Sequence, residues 1–283
     1  MRLANLAGRA TIDVDGRAVD VEHASGGALS SDPMILSDLA THEALRALAS
    51  NARVEDWPAL DEPRLGAPVP RPPKGLGVGL NYRTHALESN LPIPDEPHLF
   101  AKTANCVCGP FDDIVVPTGR AKIDYEAEIV IVFGRTCRSA TRESAWDHLA
   151  GVMCGQDISD RAEQFRQPLR QFTIAKSYDT FGPTGPYLVT ADELADPDAL
   201  DVEGRLNGES VQRSNSSDLI FAVPALVEWL SRFMTFEAGD LVWTGTPGGV
   251  GEARDPPRFL GAGDVVETTV EGVGTMRNRV VER

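Results

Sequence analysis

What the chain lacks narrows it first. Across its 283 residues no apolar run approaches the length needed to cross a bilayer, and nothing near Met1 reads as a secretory leader. Basic residues are short: 27 Lys and Arg stand against 42 Asp and Glu, a net charge of −15, with no basic cluster. Such a surface repels nucleic acid and anionic lipid, so neither nucleic acid nor membrane is expected as a partner. Cysteine is scarce as well. Cys106, Cys108, Cys137 and Cys154 make no paired C-x-x-C arrangement and are too few to staple a chain this long. A soluble chain of a reducing compartment, the cytoplasm, is expected.

What is present centres on Ile123–Gly134, I-D-Y-E-A-E-I-V-I-V-F-G. Its β-branched and aromatic residues, bounded by Gly134, read as a strand. Side chains alternate faces along a strand, so Tyr125, Ala127, Ile129, Ile131 and Phe133 form one apolar face. Glu126 and Glu128 share the other face with Val130 and Val132. Two carboxylates on a face that becomes buried need a cation, because burial and like charge both oppose ionisation. With no Cys or His cluster nearby, a hard divalent ion such as Mg²⁺ suits the oxygen ligands. An ordinary solvated or salt-bridged pair is the competing reading.

Upstream, Ala10–Val21 reads as a hairpin turning at Asp15-Gly16, and His42–Ala49 as a short helix. Six prolines crowd the stretch from Asp56 to Lys74, which reads as a connector. The expected division is therefore a small α+β segment with its Pro-rich linker at 1–70 and a catalytic domain at 71–283. G-L-G-V-G-L-N-Y follows at 75–82. Its G-x-G-x-G spacing and the missing βαβ context reject a dinucleotide site, and a short strand ending at Asn81 is expected.

His85 and Glu88 lie three apart in N-Y-R-T-H-A-L-E, so on a helical turn the carboxylate reaches the imidazole. That pairing suits a general base, and equally a surface ion pair. The Pro-rich stretch Ser89–Pro97 behind it suits a mobile flap. Arg142–Leu149 reads as a helix stopped by Gly151, with His148 exposed on it. Val152–Arg161 runs a strand into Asp157, a third acid suited to an oxygen-rich site or to a plain turn. Lys176 is a lone cation among apolar neighbours. Residues 181–189 read as a loop into a strand, 202–211 as a hairpin turning at Asn207-Gly208, and 218–233 as an apolar helix with Pro224 in its first turn. Residues 242–251, V-W-T-G-T-P-G-G-V-G, run a strand into a glycine-rich loop without the lysine of a phosphate loop. Its amides and the Thr246 hydroxyl suit a small carboxylate. Closing strands follow from Gly263 and Glu271. Many strands and few helices point to an α+β, mainly β architecture.

Together N-Y-R-T-H-A-L-E, D-Y-E-A-E-I, G-Q-D-I-S-D-R, A-K-S and W-T-G-T-P-G-G-V-G, in this order, resemble the fumarylacetoacetate hydrolase family from about Gly75 to the C-terminus. The resemblance implies a mixed β-roll around a distorted barrel, a homodimer, and Mg²⁺ or Mn²⁺ at the site. It further implies Glu126, Glu128 and Asp157 as metal ligands, His85 and Glu88 as the water-activating dyad, and Lys176 as the support for developing negative charge. Thr246, with Tyr82, Lys102 and Arg161, would contact the substrate. Asn105, beside Cys106 and Cys108, departs from the small hydroxyl residues of relatives, on what would be the acyl side of the pocket. The implied reaction is hydrolysis of a carbon–carbon bond in a β-diketo acid such as an acylpyruvate or fumarylpyruvate. The same chemistry would serve oxaloacetate decarboxylation, or hydratase, isomerase or lyase action on a 2-keto acid. A catalytically idle metabolite-binding dimer is the alternative outside enzymes.

Overall fold

The computed structural model describes residues 1–283. Alternation along the central strand decides the layering. Ala127–Phe133 is buried throughout, and its two faces enter different cores. Ile129, Ile131 and Phe133 pack with the helix Val223–Phe233 and with Val202, Val270 and Met276. Val130 and Val132 pack with Met153, Leu241 and Trp243 against Leu3, Ile12, Val19, Leu36 and Leu45 of the N-terminal segment. Both faces of the strand are therefore dry, as its unbroken apolar run requires.

An eleven-stranded sheet carries this strand at its centre. Its path runs Arg17–Asp20, Arg9–Val14, Arg2–Leu6, Gly182–Val189, Leu149–Gln156, Ala127–Phe133, Leu241–Trp243, Gly75–Gly79 and His98–Ala101. Most neighbours are antiparallel, but Leu241–Trp243 runs parallel to Gly75–Gly79. A five-stranded sheet, from Glu209–Asn215 to Ile114–Val116, covers one side. The class is α+β and mainly β, as expected. The hairpins turn where the sequence placed them: Asp15 and Gly16, and Asn207 and Gly208, all have positive φ. That is the conformation a two-residue turn between right-twisted strands requires. The helix expected at 42–49 spans Leu39–Asn51, capped by the Asp38 side chain on Ala40 N.

Five local expectations are corrected. The strand anticipated over 123–134 breaks at Tyr125 and Glu126: Ile123–Asp124 pairs with Ser159–Asp160, and only Ala127–Phe133 joins the large sheet. Side-chain amides satisfy the backbone at the break, with Gln156 Oε1 accepting from Glu126 N and Gln212 Oε1 from Ala127 N, both at 2.9 Å. No helix spans 142–149. Only the turn Ala145–His148 forms, and the sheet recruits the chain from Leu149 onward. His148 is accordingly part-buried rather than an exposed helix residue. Gly151 is not a helix stop; a Cβ there would lie 2.1 Å from the Val189 carbonyl oxygen, so it permits close strand approach. Residues 182–189 are strand throughout rather than loop. The glycines of 75–79 have a packing role too: a Cβ on Gly77 would lie 2.2 Å from the Phe100 ring.

Candidate active site

The break in the central strand is where the acids collect. Glu126 and Glu128 project from the same side of the chain, and Asp157 follows the end of the neighbouring strand Leu149–Gln156. Asp157 N donates to the Glu126 carbonyl at 3.0 Å, which holds the two segments together. One carboxylate oxygen from each of the three acids falls within 4.8 Å of the others, and all three residues are buried.

Three buried cations surround them. Lys176 Nζ donates to Glu126 Oε2 at 2.8 Å, Asp157 Oδ2 at 2.7 Å and Ser159 Oγ at 2.7 Å. Lys102 Nζ donates to Asp157 Oδ1 at 2.7 Å and to the Lys176 carbonyl at 2.6 Å. Arg161 Nη2 lies 2.7 Å from Glu126 Oε1 and 2.8 Å from Asp124 Oδ2. Burial works to raise the Glu126 carboxyl, but Lys176 and Arg161 outweigh it and hold the group below the usual carboxylate range. Glu128 has no cation, only the Gly245 N–H at 2.8 Å. Burial, then Asp157 and Glu126, push its carboxyl well above the ordinary range.

That imbalance is the test of a metal. Four buried carboxylates, Asp124 included, meet three buried cations, and Glu128 is left over. Every carboxylate oxygen of Glu126 and Asp157 that bonds a lysine or arginine keeps lone-pair capacity for a second partner. A divalent cation among oxygen-only donors offsets the surplus charge, and the donor set fits one.

Glu126, Glu128 and Lys176 line a cavity of about 610 Å³ together with His85, Glu88, Arg161 and Thr246, while Asp157 stands behind that wall, bonded to Lys176. His85 and Glu88 lie on the helical turn Arg83–Glu88, with Nδ1 and Oε1 2.6 Å apart. The other Glu88 oxygen accepts from Gly249 N at 2.6 Å. Val78, Leu80, Leu91, Phe100, Phe165 and Phe172 give the cavity an apolar wall.

Not every anticipated contact reaches this space. Tyr82 is wholly buried in the core and does not line the cavity. Lys102 stands behind Asp157 rather than at the cavity surface. Thr246 lines the cavity, but its hydroxyl already donates to the Ala127 carbonyl and accepts from Gln212 Nε2. Asn105 is exposed and bonds Ser177 O and Asp179, away from the pocket, so its departure from the family pattern does not alter the cavity wall. The glycine-rich loop turns its amides on the protein's own acids: Gly245 to Glu128, Gly249 to Glu88, Gly251 and Glu252 to Asp124. Those N–H groups are taken, which corrects the expectation that they receive a ligand's carboxylate. The backbone must come close to do this; a Cβ on Gly249, at φ +107°, would lie 2.1 Å from the Val211 carbonyl oxygen.

Asp124, Ser159, Gln164 and Gln212 were not anticipated. Asp124 had a signal, since it shares strand parity with Glu126 and Glu128. Gln212 had none, because it comes from a hairpin more than 80 residues away.

Known proteins place the arrangement. The description "Fumarylacetoacetate (FAA) hydrolase C-terminal" matches residues 74–281. The 2,4-didehydro-3-deoxy-L-rhamnonate hydrolase of Sphingomonas sp. (strain SKA58) is 41% identical over 273 residues, 96% of this chain and 91% of that protein. The human mitochondrial oxaloacetate tautomerase FAHD2A is 41% identical over 84% of this chain and 77% of its own length. The structure of maleylpyruvate hydrolase from Sphingobium sp. SYK-6, in complex with manganese(II) and pyruvate, superposes with a TM-score of 0.82 at 30% identity, covering 100% of this chain and 99% of that one. The protein is an enzyme and belongs to the fumarylacetoacetate hydrolase family.

Proposed function

We propose that this enzyme hydrolyses a carbon–carbon bond of a β-diketo acid, releasing pyruvate, with Mg²⁺ or Mn²⁺ held by Glu126, Glu128 and Asp157. The observation that carries the reading is the sharing of one cavity by Glu126 and Glu128 of that acid cluster, Lys176 and the His85–Glu88 dyad, with Asp157 directly behind the two glutamates. A bound divalent ion would supply Lewis acidity toward the keto-acid end of the substrate. His85 donates Nδ1–H to Glu88, which leaves Nε2 to take a proton from water. The water oxygen adds to the distal carbonyl carbon, and the bond between that carbon and the one joining the two carbonyls breaks. Its electron pair leaves as the pyruvate enolate, the other fragment leaves as a carboxylic acid, and a proton returns to the enolate carbon. The Lys176 ammonium offsets the charge that gathers on the enolate oxygen.

A second reading has its own support. The human oxaloacetate tautomerase shares 41% identity, and a dyad that moves one proton also suits keto–enol exchange of a 2-keto acid without water attack. One assay separates them: pyruvate release and enol absorbance, with Mn²⁺ or with chelator, from an acylpyruvate and from oxaloacetate side by side. Metal-dependent pyruvate from the acylpyruvate supports hydrolysis. Enol exchange of oxaloacetate with no pyruvate from either compound overturns it in favour of the tautomerase.

A further inference from the structure

We propose that Arg170 selects substrates bearing a second carboxylate at the end remote from the keto-acid group, so that the enzyme prefers a dianionic diketo acid over a neutral acyl one. The inference rests on the reading above and adds to it which acyl groups the cavity takes.

The cavity has an inner and an outer part, and ring contacts trace the way between them. Lys176 Nζ lies 5.1 Å from the Phe100 ring centroid, Phe100 lies 5.9 Å from Phe172, and Phe172 lies 5.1 Å from His98. All four line the cavity, and burial falls along the series, from buried Lys176 and Phe100 through part-buried Phe172 to exposed His98. A substrate anchored by its keto-acid end among the acids therefore lays its acyl portion along phenyl rings toward solvent. The volume, about 610 Å³, lies within the range of roughly 300–1,000 Å³ that suits ligands larger than a four-carbon acid.

At the outer part stands a charge with nothing to balance it. Of the lysines and arginines lining the cavity, Arg161 and Lys176 are each held by two carboxylates. Arg170 has no carboxylate partner and makes no hydrogen bond; its guanidinium carbon sits 5.5 Å from the centroid of the Phe165 ring. The ring's face limits the guanidinium's freedom while leaving its N–H donors open, the state in which a planar fork receives a carboxylate through two hydrogen bonds. Arg170 is exposed at the outer wall, and on a protein of net charge −15 it is the one cation of that wall without a carboxylate partner. Two wall acids have no cation: Glu128, buried in the acid cluster, and Glu252, next to the glycine-rich loop. Arg170 pairs with neither, so it remains the cavity's free anion receptor.

The test compares two acylpyruvates of equal chain length, one ending in a carboxylate and one in a methyl group, on the Mn²⁺-loaded wild type and on Arg170→Gln. Wild type is expected to show a KM about tenfold lower for the carboxylate-ended substrate. Arg170→Gln should erase that difference, with kcat and the methyl-ended substrate's KM unchanged. A preference that survives in Arg170→Gln, or a KM that rises equally for both, overturns the proposal. If neither compound is cleaved, the hydrolase reading has failed and Arg170 is still decided: calorimetry with 2-oxoheptanedioate and 2-oxoheptanoate should show the same arginine-dependent difference in affinity, and equal affinities overturn it.

Discussion

Lys176 Nζ lies 2.7 Å from Asp157 Oδ2, and because Lys102 Nζ lies 2.7 Å from Oδ1, Asp157 is gripped on both oxygens. Lys102 never reaches the cavity surface, so its effect passes through Asp157. Replacing it by methionine should weaken Mn²⁺ binding by about 10–100-fold, the usual cost of loosening a group that orients a ligand. Calorimetric titration decides this, with circular dichroism to show that the variant folds. Unchanged affinity would mean that Lys176 alone orients the carboxylate.

Glu126, like Asp157, is tied into the cluster by two cations, here Lys176 and Arg161. Glu126→Gln keeps its volume and removes its charge. We expect divalent-ion affinity to fall by at least about 100-fold. A titration indistinguishable from wild type would remove Glu126 from the donor set.

The dyad stands outside the acid cluster, so its loss should separate chemistry from metal binding. His85→Ala should lower turnover by about 10²–10⁴-fold with Mn²⁺ affinity intact. Glu88→Gln should have a smaller effect, because Gly249 N–H still holds the side chain in place. Full turnover in His85→Ala would dismiss the imidazole as the base.

His42 is buried, with Nε2 2.8 Å from the Leu36 carbonyl oxygen. Burial, the leading cause, pushes its imidazole below the ordinary value. The unfolded chain therefore binds the extra proton first. The stability contributed by the neutral group is whole above about pH 6.5 and is lost as pH falls below that toward the depressed folded value. Denaturant midpoints between pH 7.5 and 5.5 should decline less steeply for His42→Gln than for wild type. Parallel declines would show that other groups govern the acid limb.

Leu45, fully buried on the helix Leu39–Asn51, shares a core cluster with Val130, Val132 and Trp243 of the large sheet. Truncation to alanine should cost about 2–5 kcal/mol. Because that cluster crosses residue 70, tryptophan fluorescence and far-UV circular dichroism should report one coincident unfolding transition. Two separated transitions would instead identify residues 1–70 as an independently folding domain.

Much of the site was legible along the chain. Strand parity put Glu126 and Glu128 on one side, helical spacing joined His85 to Glu88, and alternation divided Ile129 from Val130 between two cores. Parity also covered Asp124, whose role the same rule could have found. The five ordered motifs led to the family, and with it to Asp157 and Lys176. These relations lie within single elements or in residue order, where 3.6- and 2-residue periods translate spacing directly into direction.

The rest depended on which elements meet. Tyr82 went into the core and Lys102 behind Asp157, while Gln212 came across from a hairpin to close the strand break. The glycine-rich loop's amides were spent on Glu128, Glu88 and Asp124 rather than left for a ligand. Arg170 emerged as the cavity's unpaired cation only once Arg161 and Lys176 were seen to be occupied. Spacing says where a side chain points from its own backbone. What it meets there is set by the packing of segments distant in sequence, and a buried charge draws its partner from whichever of them the fold brings within hydrogen-bond reach.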